Sequence, residues 1–192
     1  MISDLADVAH SNGGNVHLDG ARIFNAEAAL GTPAAEIAAG CDSVSFCLSK
    51  GLGCPVGSLL CGTREFIAEA RRNRKMLGGG MRQAGILGAA GIYALEHHVA
   101  RLSEDHANAA RLADGLRQHE EFRPNQPQTN IVVIDLSRGT ANEWLGPLRE
   151  AGVLATPFGA RRLRMVTHIN ISAADIDEAL RRVERAIGAV TL

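Results

Sequence analysis

The sequence is poor in aromatic residues and has no long apolar run. Phe, Trp and Tyr make up 4% of its 192 positions. No uninterrupted hydrophobic stretch approaches the roughly 20 residues that a spanning helix needs, which argues against a membrane protein. The opening MISDLADVAH is acidic and amphipathic and does not read as a signal peptide. An excess of basic charge is also lacking. Twenty Lys and Arg stand against 21 Asp and Glu, a net charge of −1, so the footprint of a nucleic-acid-binding protein is absent. Cys41, Cys47, Cys54 and Cys61 lie six or seven residues apart and none has CxxC spacing. They read as buried free thiols in a reducing cytoplasm rather than as a zinc site. The seven histidines are scattered, with no HExxH pattern among them.

What is present suits a soluble α/β enzyme. Hydrophobic residues are 46% and charged residues 21%, which excludes a disordered tail. Twenty-one glycines point to tight turns. The length allows one domain, or one and a fraction. Residues 1–10 read as the end of a helix and Asn15–Leu18 as a short strand ending at Asp19-Gly20-Ala21-Arg22. A helix follows over Ile23–Leu30. Thr32 and Pro33 read as N-cap and first helical residue of another over Ala34–Ala39. Ser43–Leu48 and Pro55–Cys61 read as buried strands joined by the tight Lys50–Cys54 connection.

Arg64–Lys75 is a charged helix that the GGGMRQ stretch, Gly78–Gln83, breaks. Ala84–His98 is a helix of small residues. Val99–Gln118 is a long amphipathic one with Leu102, Ala109, Leu112 and Leu116 on one face. Composition shifts at Glu120–Gln128, which carries Pro124 and Pro127. A boundary placed there gives a first piece, 1–119, and a second, 120–192. The second reads β-α-β-α: strand Asn130–Leu136, helix Ala141–Ala151, strand Leu163–Thr167, and a helix N-capped by Ser172 that runs to about Val190.

Asp19 and Lys50 each follow an apolar strand, and ligand sites of open α/β sheets form at such carboxyl ends. A partly desolvated lysine favours its neutral amine, which can condense with a carbonyl. An acid at a neighbouring strand end can pair with a pyridinium nitrogen. Lysine plus acid is the minimal set for pyridoxal phosphate. Spacing alone leaves bland readings open. A lysine at a strand end is commonly a surface residue. Arg22 could pair with Glu27 on a helix surface, and Arg164 could face solvent. Lys75 belongs to the charge run Arg71–Lys75, and GGGMR could be only a helix break. His17 shares the side of Asp19 and reads as a structural hydrogen-bond partner.

The wording of four motifs is more specific than their spacing. HLDGARIFNA (His17–Ala26), SFCLSKGLGCPVGSLLCG (Ser45–Gly62), RKMLGGGMRQAGILGAAGIYAL (Arg74–Leu95) and RMVTH (Arg164–His168) together resemble the low-specificity L-threonine aldolases. These are pyridoxal 5'-phosphate enzymes of fold type I, the aspartate aminotransferase-like fold. The resemblance runs in register along nearly the whole chain. It implies a partial cofactor-binding large domain and a small C-terminal α/β domain. It implies that Lys50 carries the cofactor and that Asp19 pairs with its ring nitrogen. Arg22 is then expected at the cofactor's 3′-oxygen and the substrate carboxylate, and Arg164 at that carboxylate. A planar guanidinium binds a carboxylate bidentately, which suits both arginines. Lys75 and Arg82 match basic residues near the cofactor phosphate and the subunit interface.

The implied reaction is cleavage of L-threonine or L-allo-threonine to glycine and acetaldehyde. The implied partners are a small amino-acid substrate and further copies of the chain, as dimer or tetramer. The family carries a substantial portion ahead of the HLDGAR strand, with a phosphate-holding turn and ring-stacking histidine that have no equivalent here. The expectation is therefore a C-terminal part of such an enzyme, with exposed sheet edge and a missing N-terminal half as possible partner. Another fold type I enzyme, a β-eliminating lyase or an aminotransferase, would share Asp, Lys and Arg. A non-catalytic remnant, or one half of a split enzyme, would keep the same motifs.

Overall fold

The computed structural model describes residues 2–189. Val190, the expected end of the last helix, lies outside the described residues. The chain divides into two compact units, Met1–Leu102 and Ser103–Leu192. Among the described residues no helix is long and apolar enough to cross a membrane.

The first unit runs α1 (Ile2–Ser11), β1 (His17–Asp19), α2 (Ile23–Leu30), α3 (Ala34–Ile37), β2 (Ser43–Cys47), β3 (Ser58–Gly62), α4 (Arg64–Met76) and α5 (Gly85–His97). Its three strands lie in the order β1-β2-β3. β1 and β2 are parallel, with Asp19 opposite Ser45, and β3 returns antiparallel to β2. Parallel neighbours need a crossover, and α2 and α3 supply it. Asp42 sets where β1 begins. Its Oδ2 accepts the Val16 N–H at 2.7 Å and lies 2.9 Å from His10 Nε2 on α1. The Val16 and His10 hydrogen bonds hold the Asp42 carboxyl below its usual range.

Leu48, Leu52, Cys54 and Ala94 form the unit's buried cluster, with Phe24, Phe46, Ala90, Leu95 and Val99 packed against it. Phe24 meets Phe46 edge to face at 5.2 Å, the favoured aromatic geometry. The strand expected at Pro55–Cys61 forms later, at Ser58–Gly62, and is exposed along its whole length. It is an edge, so one side of its backbone has no ladder partner among the described residues. α3 also departs from expectation. Pro33, not Thr32, stands at its N-cap, and the Glu27 carboxylate accepts the Ala34 N–H at 2.6 Å.

The second unit contains the body of α6 (Leu102–Leu116), then β4 (Phe122–Pro124), β5 (Ile131–Leu136), α7 (Ala141–Glu150), β6 (Thr156–Pro157), β7 (Arg162–Val166) and α8 (Ala173–Ala189). The sheet order is β4-β5-β7-β6 and every pairing is antiparallel. Strand alternation puts Val132, Ile134, Leu163 and Met165 on one buried face. The three helices bring Leu112, Leu116, Trp144, Leu148, Ile176 and Val183 into the same core. Trp144 is fully buried, and its Nε1–H donates to the Arg138 carbonyl at 3.1 Å. Its ring packs on Phe122 at 4.8 Å.

α6 shares this core and from Ser103 onward lies in the second unit. The expected boundary at Glu120–Gln128 contains β4. Pro124 is tolerated there because β4 is an edge strand. Ser172 caps α8 as expected: its Oγ accepts the Asp175 N–H at 3.2 Å, and the Asp175 carboxylate accepts the Ser172 N–H at 2.8 Å.

On α8, Glu178 accepts from Arg182 at 2.8 Å and from Arg181 at 3.0 Å. These bonds hold its carboxyl down at about 2. A depressed folded-state value means that the contribution is complete above the ordinary glutamate range and is lost as pH falls toward about 2. Glu178→Gln is therefore expected to lower the urea midpoint of the second unit near neutral pH and to match the parent at the acid end. A difference that does not change with pH would contradict this origin.

Candidate active site

The site begins where two parallel strands end together. Asp19 is the last residue of β1, and the ladder continues past it. Gly20 N–H donates to the Ser45 carbonyl at 2.8 Å and Cys47 N–H to the Ala21 carbonyl at 3.4 Å. The Asp19 side chain is thus fixed between ladder bonds while remaining exposed. Its Oδ1 accepts the Ala21 N–H at 3.1 Å. His17 lies two residues back on the same strand face. Its Nδ1 is 2.9 Å from Ser43 Oγ and its Nε2 is 3.3 Å from Ser45 Oγ. It fills the hydrogen-bonding role that its alternation with Val16 and Leu18 suggested.

Lys50 follows β2 by three residues, at the corresponding end of the neighbouring strand. Its carbonyl accepts the Gly53 N–H at 2.9 Å, and the Leu48 carbonyl accepts the Cys54 N–H at 3.0 Å. Gly53 sits at φ +73°, where a side chain would be strained. Leu48, Gly51, Leu52 and Cys54 are buried, whereas Ser49 and Lys50 are exposed. The turn therefore clamps its apolar members inward and presents its amine outward. Gly51 is wedged in place. A Cβ there would lie 2.8 Å from Leu102 Cδ2 and 3.1 Å from Asn25 Oδ1.

Arg22 occupies the N-cap position of α2, half-buried, with its Nε shielded from solvent. Glu27, its suggested surface partner, spends its Oε2 on the Ala34 N–H. Asp19, Arg22 and Lys50 thus belong to one unit. Lys75 lies in the last turn of α4, exposed, with its stem against Gly80. Arg82 is exposed beyond α4. The glycine stretch closes the end of α4: Gly78 N–H donates to the Lys75 carbonyl at 3.2 Å and Gly79 N–H to the Arg74 carbonyl at 2.9 Å.

Arg164 belongs to the second unit. Strand alternation turns Leu163 and Met165 into the core and Arg164 to the opposite face of β7. Arg164 is half-buried, and its Nε has no hydrogen-bond partner among the described residues. A shielded guanidinium N–H without an acceptor fits an incoming carboxylate. Arg162, on the same face, is engaged by Asp135 at 2.7 Å. His168 is exposed, and its Nδ1 accepts the Asn170 N–H at 3.3 Å.

The residues present fit pyridoxal phosphate in chemical type. In the first unit Lys50 offers an exposed amine and Asp19 a carboxylate whose Oδ1 takes the Ala21 N–H; in the second, Arg164 offers an unsatisfied guanidinium N–H suited to a substrate carboxylate. A cleft of about 450 Å³ elsewhere in the second unit, between α8 and the β7 end, is lined by His168 but by none of these three. Its Asp175 and Glu178 are already engaged by Ser172 and by Arg182. Two side chains of the Lys50 turn carried no signal in the sequence. Asn25 is buried against Gly51, and His98 Nδ1 lies 2.6 Å from the Leu52 carbonyl. His98 meets a backbone carbonyl and Asn25 packs on a glycine, contacts that leave no residue pattern to read.

A family model described as beta-eliminating lyase matches residues 1–138. The low specificity L-threonine aldolase of Escherichia coli (strain K12) is 48% identical over 165 residues, covering 85% of this chain and 48% of that protein. Low-specificity L-threonine aldolase 1 of Arabidopsis thaliana is 41% identical over 188 residues, covering 95% of this chain and 52% of that protein. A crystal structure from Listeria monocytogenes EGD-E, assigned as an L-allo-threonine aldolase, matches with a TM-score of 0.79 at 23% identity. It covers 96% of this chain and 55% of that chain. The chain spans about half the length of the curated relatives it matches.

The wedge at Gly51 yields a direct test. Gly51→Ala is expected to destabilise the first unit by about 1–3 kcal/mol through overpacking against Leu102 and Asn25. Urea unfolding followed by circular dichroism would measure it. An unchanged midpoint would mean that the turn is not wedged as described.

Proposed function

Because the chain belongs to the beta-eliminating lyase family, we propose that it carries the cofactor lysine and ring-partner acid of an aldolase. The reaction is cleavage of L-threonine or L-allo-threonine to glycine and acetaldehyde. The fold is that of a portion of a fold type I pyridoxal phosphate enzyme. The observation that carries the reading is the pairing of two strand ends. Asp19 closes β1 and Lys50 follows β2, the two strands are parallel, and both side chains are exposed.

Pyridoxal phosphate, when bound, supplies an electron sink for the pair released as the substrate's Cα–Cβ bond breaks. The chain's residues do the rest. Lys50 would hold the cofactor through its exposed amine. Asp19 anchors Oδ1 on the Ala21 N–H and offers Oδ2 to a protonated ring nitrogen, whose charge it keeps in place. Arg22 reaches the cofactor's 3′-oxygen and the substrate carboxylate. Arg164 grips that carboxylate through its unsatisfied Nε–H, which fixes the orientation of the breaking bond. Lys75 and Arg82 serve the phosphate and a subunit contact.

Cys41, Cys47, Cys54 and Cys61 are free thiols, which supports a cytoplasmic setting. Leu59 and Leu60 on β3, with Ile92 and Tyr93 on α5, are exposed. Apolar surface of that kind supports assembly into a dimer or tetramer.

Product analysis tests the reaction. The chain supplied with pyridoxal phosphate and L-threonine or L-allo-threonine is expected to release acetaldehyde and glycine. A keto acid and ammonia instead would favour β-elimination, the chemistry that the family's description names. Lys50→Ala should abolish product. Asp19→Asn should leave the cofactor bound but cut kcat by about 100-fold or more, as loss of a charged hydrogen bond at the reacting system implies. Arg164→Lys should raise KM by roughly tenfold and leave kcat nearly unchanged. An unaltered KM would place Arg164 outside the site.

A further inference from the structure

We propose that His98 is a positioning residue for Lys50, acting through the Leu52 carbonyl. The inference rests on reading Lys50 as the cofactor lysine. His98 Nδ1 lies 2.6 Å from the Leu52 carbonyl oxygen. A carbonyl only accepts, so Nδ1 carries the hydrogen in either protonation state of the ring. Leu52 is inside the four-residue turn that Lys50 opens and that the Lys50 carbonyl closes on the Gly53 N–H. The bond therefore fixes the plane of the Leu52–Gly53 peptide, and with it the orientation of the turn.

The imidazole is itself held. His98 is the C-cap residue of α5, and its backbone N–H donates to the Ala94 carbonyl at 2.8 Å. Tyr93 meets the ring edge to face at 5.5 Å. A second strut runs in parallel: Cys54 Sγ donates to the Ala90 carbonyl at 3.4 Å. Ala90, Ala94 and His98 are spaced by four, so they share one face of α5. The small side chains let that face approach the turn, and His98 supplies the directional contact. Lys50 has a flexible four-carbon stem and is exposed. The precision of its amine comes from the backbone beneath it, and His98 fixes that backbone.

Two substitutions separate the ring from the donor. His98→Phe keeps an aromatic ring and removes the N–H. His98→Asn removes the ring and leaves an amide N–H near the place of Nδ1. Amide hydrogen exchange at Gly53 reads the turn without any cofactor. Titration with pyridoxal phosphate reads its consequence at Lys50. His98→Phe is expected to speed exchange at Gly53 by roughly fivefold to tenfold, the loss of about one hydrogen bond, and to weaken cofactor affinity by a similar factor. His98→Asn is expected to keep both near the parent values. Parent-like exchange in His98→Phe, or equal impairment in both variants, would overturn the proposal. If the parent shows no cofactor uptake at Lys50, the reading of Lys50 fails, while exchange at Gly53 still decides whether His98 holds the turn.

Discussion

Lys50 is presented to solvent because the apolar members of its turn are not. Leu48, Leu52 and Cys54 are buried, Gly51 is wedged against Leu102 and Asn25, and Gly53 takes the left-handed conformation that closes the turn. An amine on a long stem has no inherent direction. Its direction is set by burial in the turn around it, and that burial comes from α5 together with Asn25 and Phe24 of α2 and with Leu102. The low aromatic content and the small residues of α5 serve the same end, since bulk at Ala90 or Ala94 would push the helix off the turn. The parallel pairing of β1 with β2 then places Asp19 at the corresponding strand end. The proposed site therefore rests on a few backbone constraints more than on contacts between its own side chains.

The second unit is built on a different economy. Its sheet is wholly antiparallel and one face is packed by three helices around Trp144. The opposite face of β7 carries Arg162 and Arg164, which differ in one respect. Arg162 has Asp135 as partner, whereas the Nε of Arg164 has none among the described residues. A half-buried guanidinium with an unsatisfied N–H carries a cost that a bound carboxylate removes. That asymmetry is the physical reason to assign the ligand-facing role to Arg164 rather than to its neighbour.

Much of the fold was legible in the sequence. The helices from Arg64 and Ala84 were legible from a charged run and a run of small residues, the helix ending at Leu116 from its periodicity, and Ser172 as a cap. The short strands β4 and β6 were not, because three and two residues carry too little alternation to register, and Pro124 was read as part of a boundary at Glu120–Gln128. Pro55–Gly57 was read as strand because it continues an apolar run. The chain instead uses those residues to leave the Lys50 turn. The proposed site was legible only where it is written as motif. Lys50, Asp19, Arg22 and Arg164 stand in long, specific stretches of sequence. His98 meets the Leu52 carbonyl and Asn25 packs at Gly51 across many residues of separation, and contact at that range leaves no trace in a single sequence.

Lys50 and Lys75 are the chain's two lysines, so one measurement can choose between them. The purified chain would be incubated with pyridoxal phosphate and reduced with borohydride, and the labelled peptide mapped. The account predicts label on Lys50, with Lys75 unmodified at stoichiometric cofactor. Label on Lys75 alone, or equal label on both, would contradict the claim that the fold singles out Lys50.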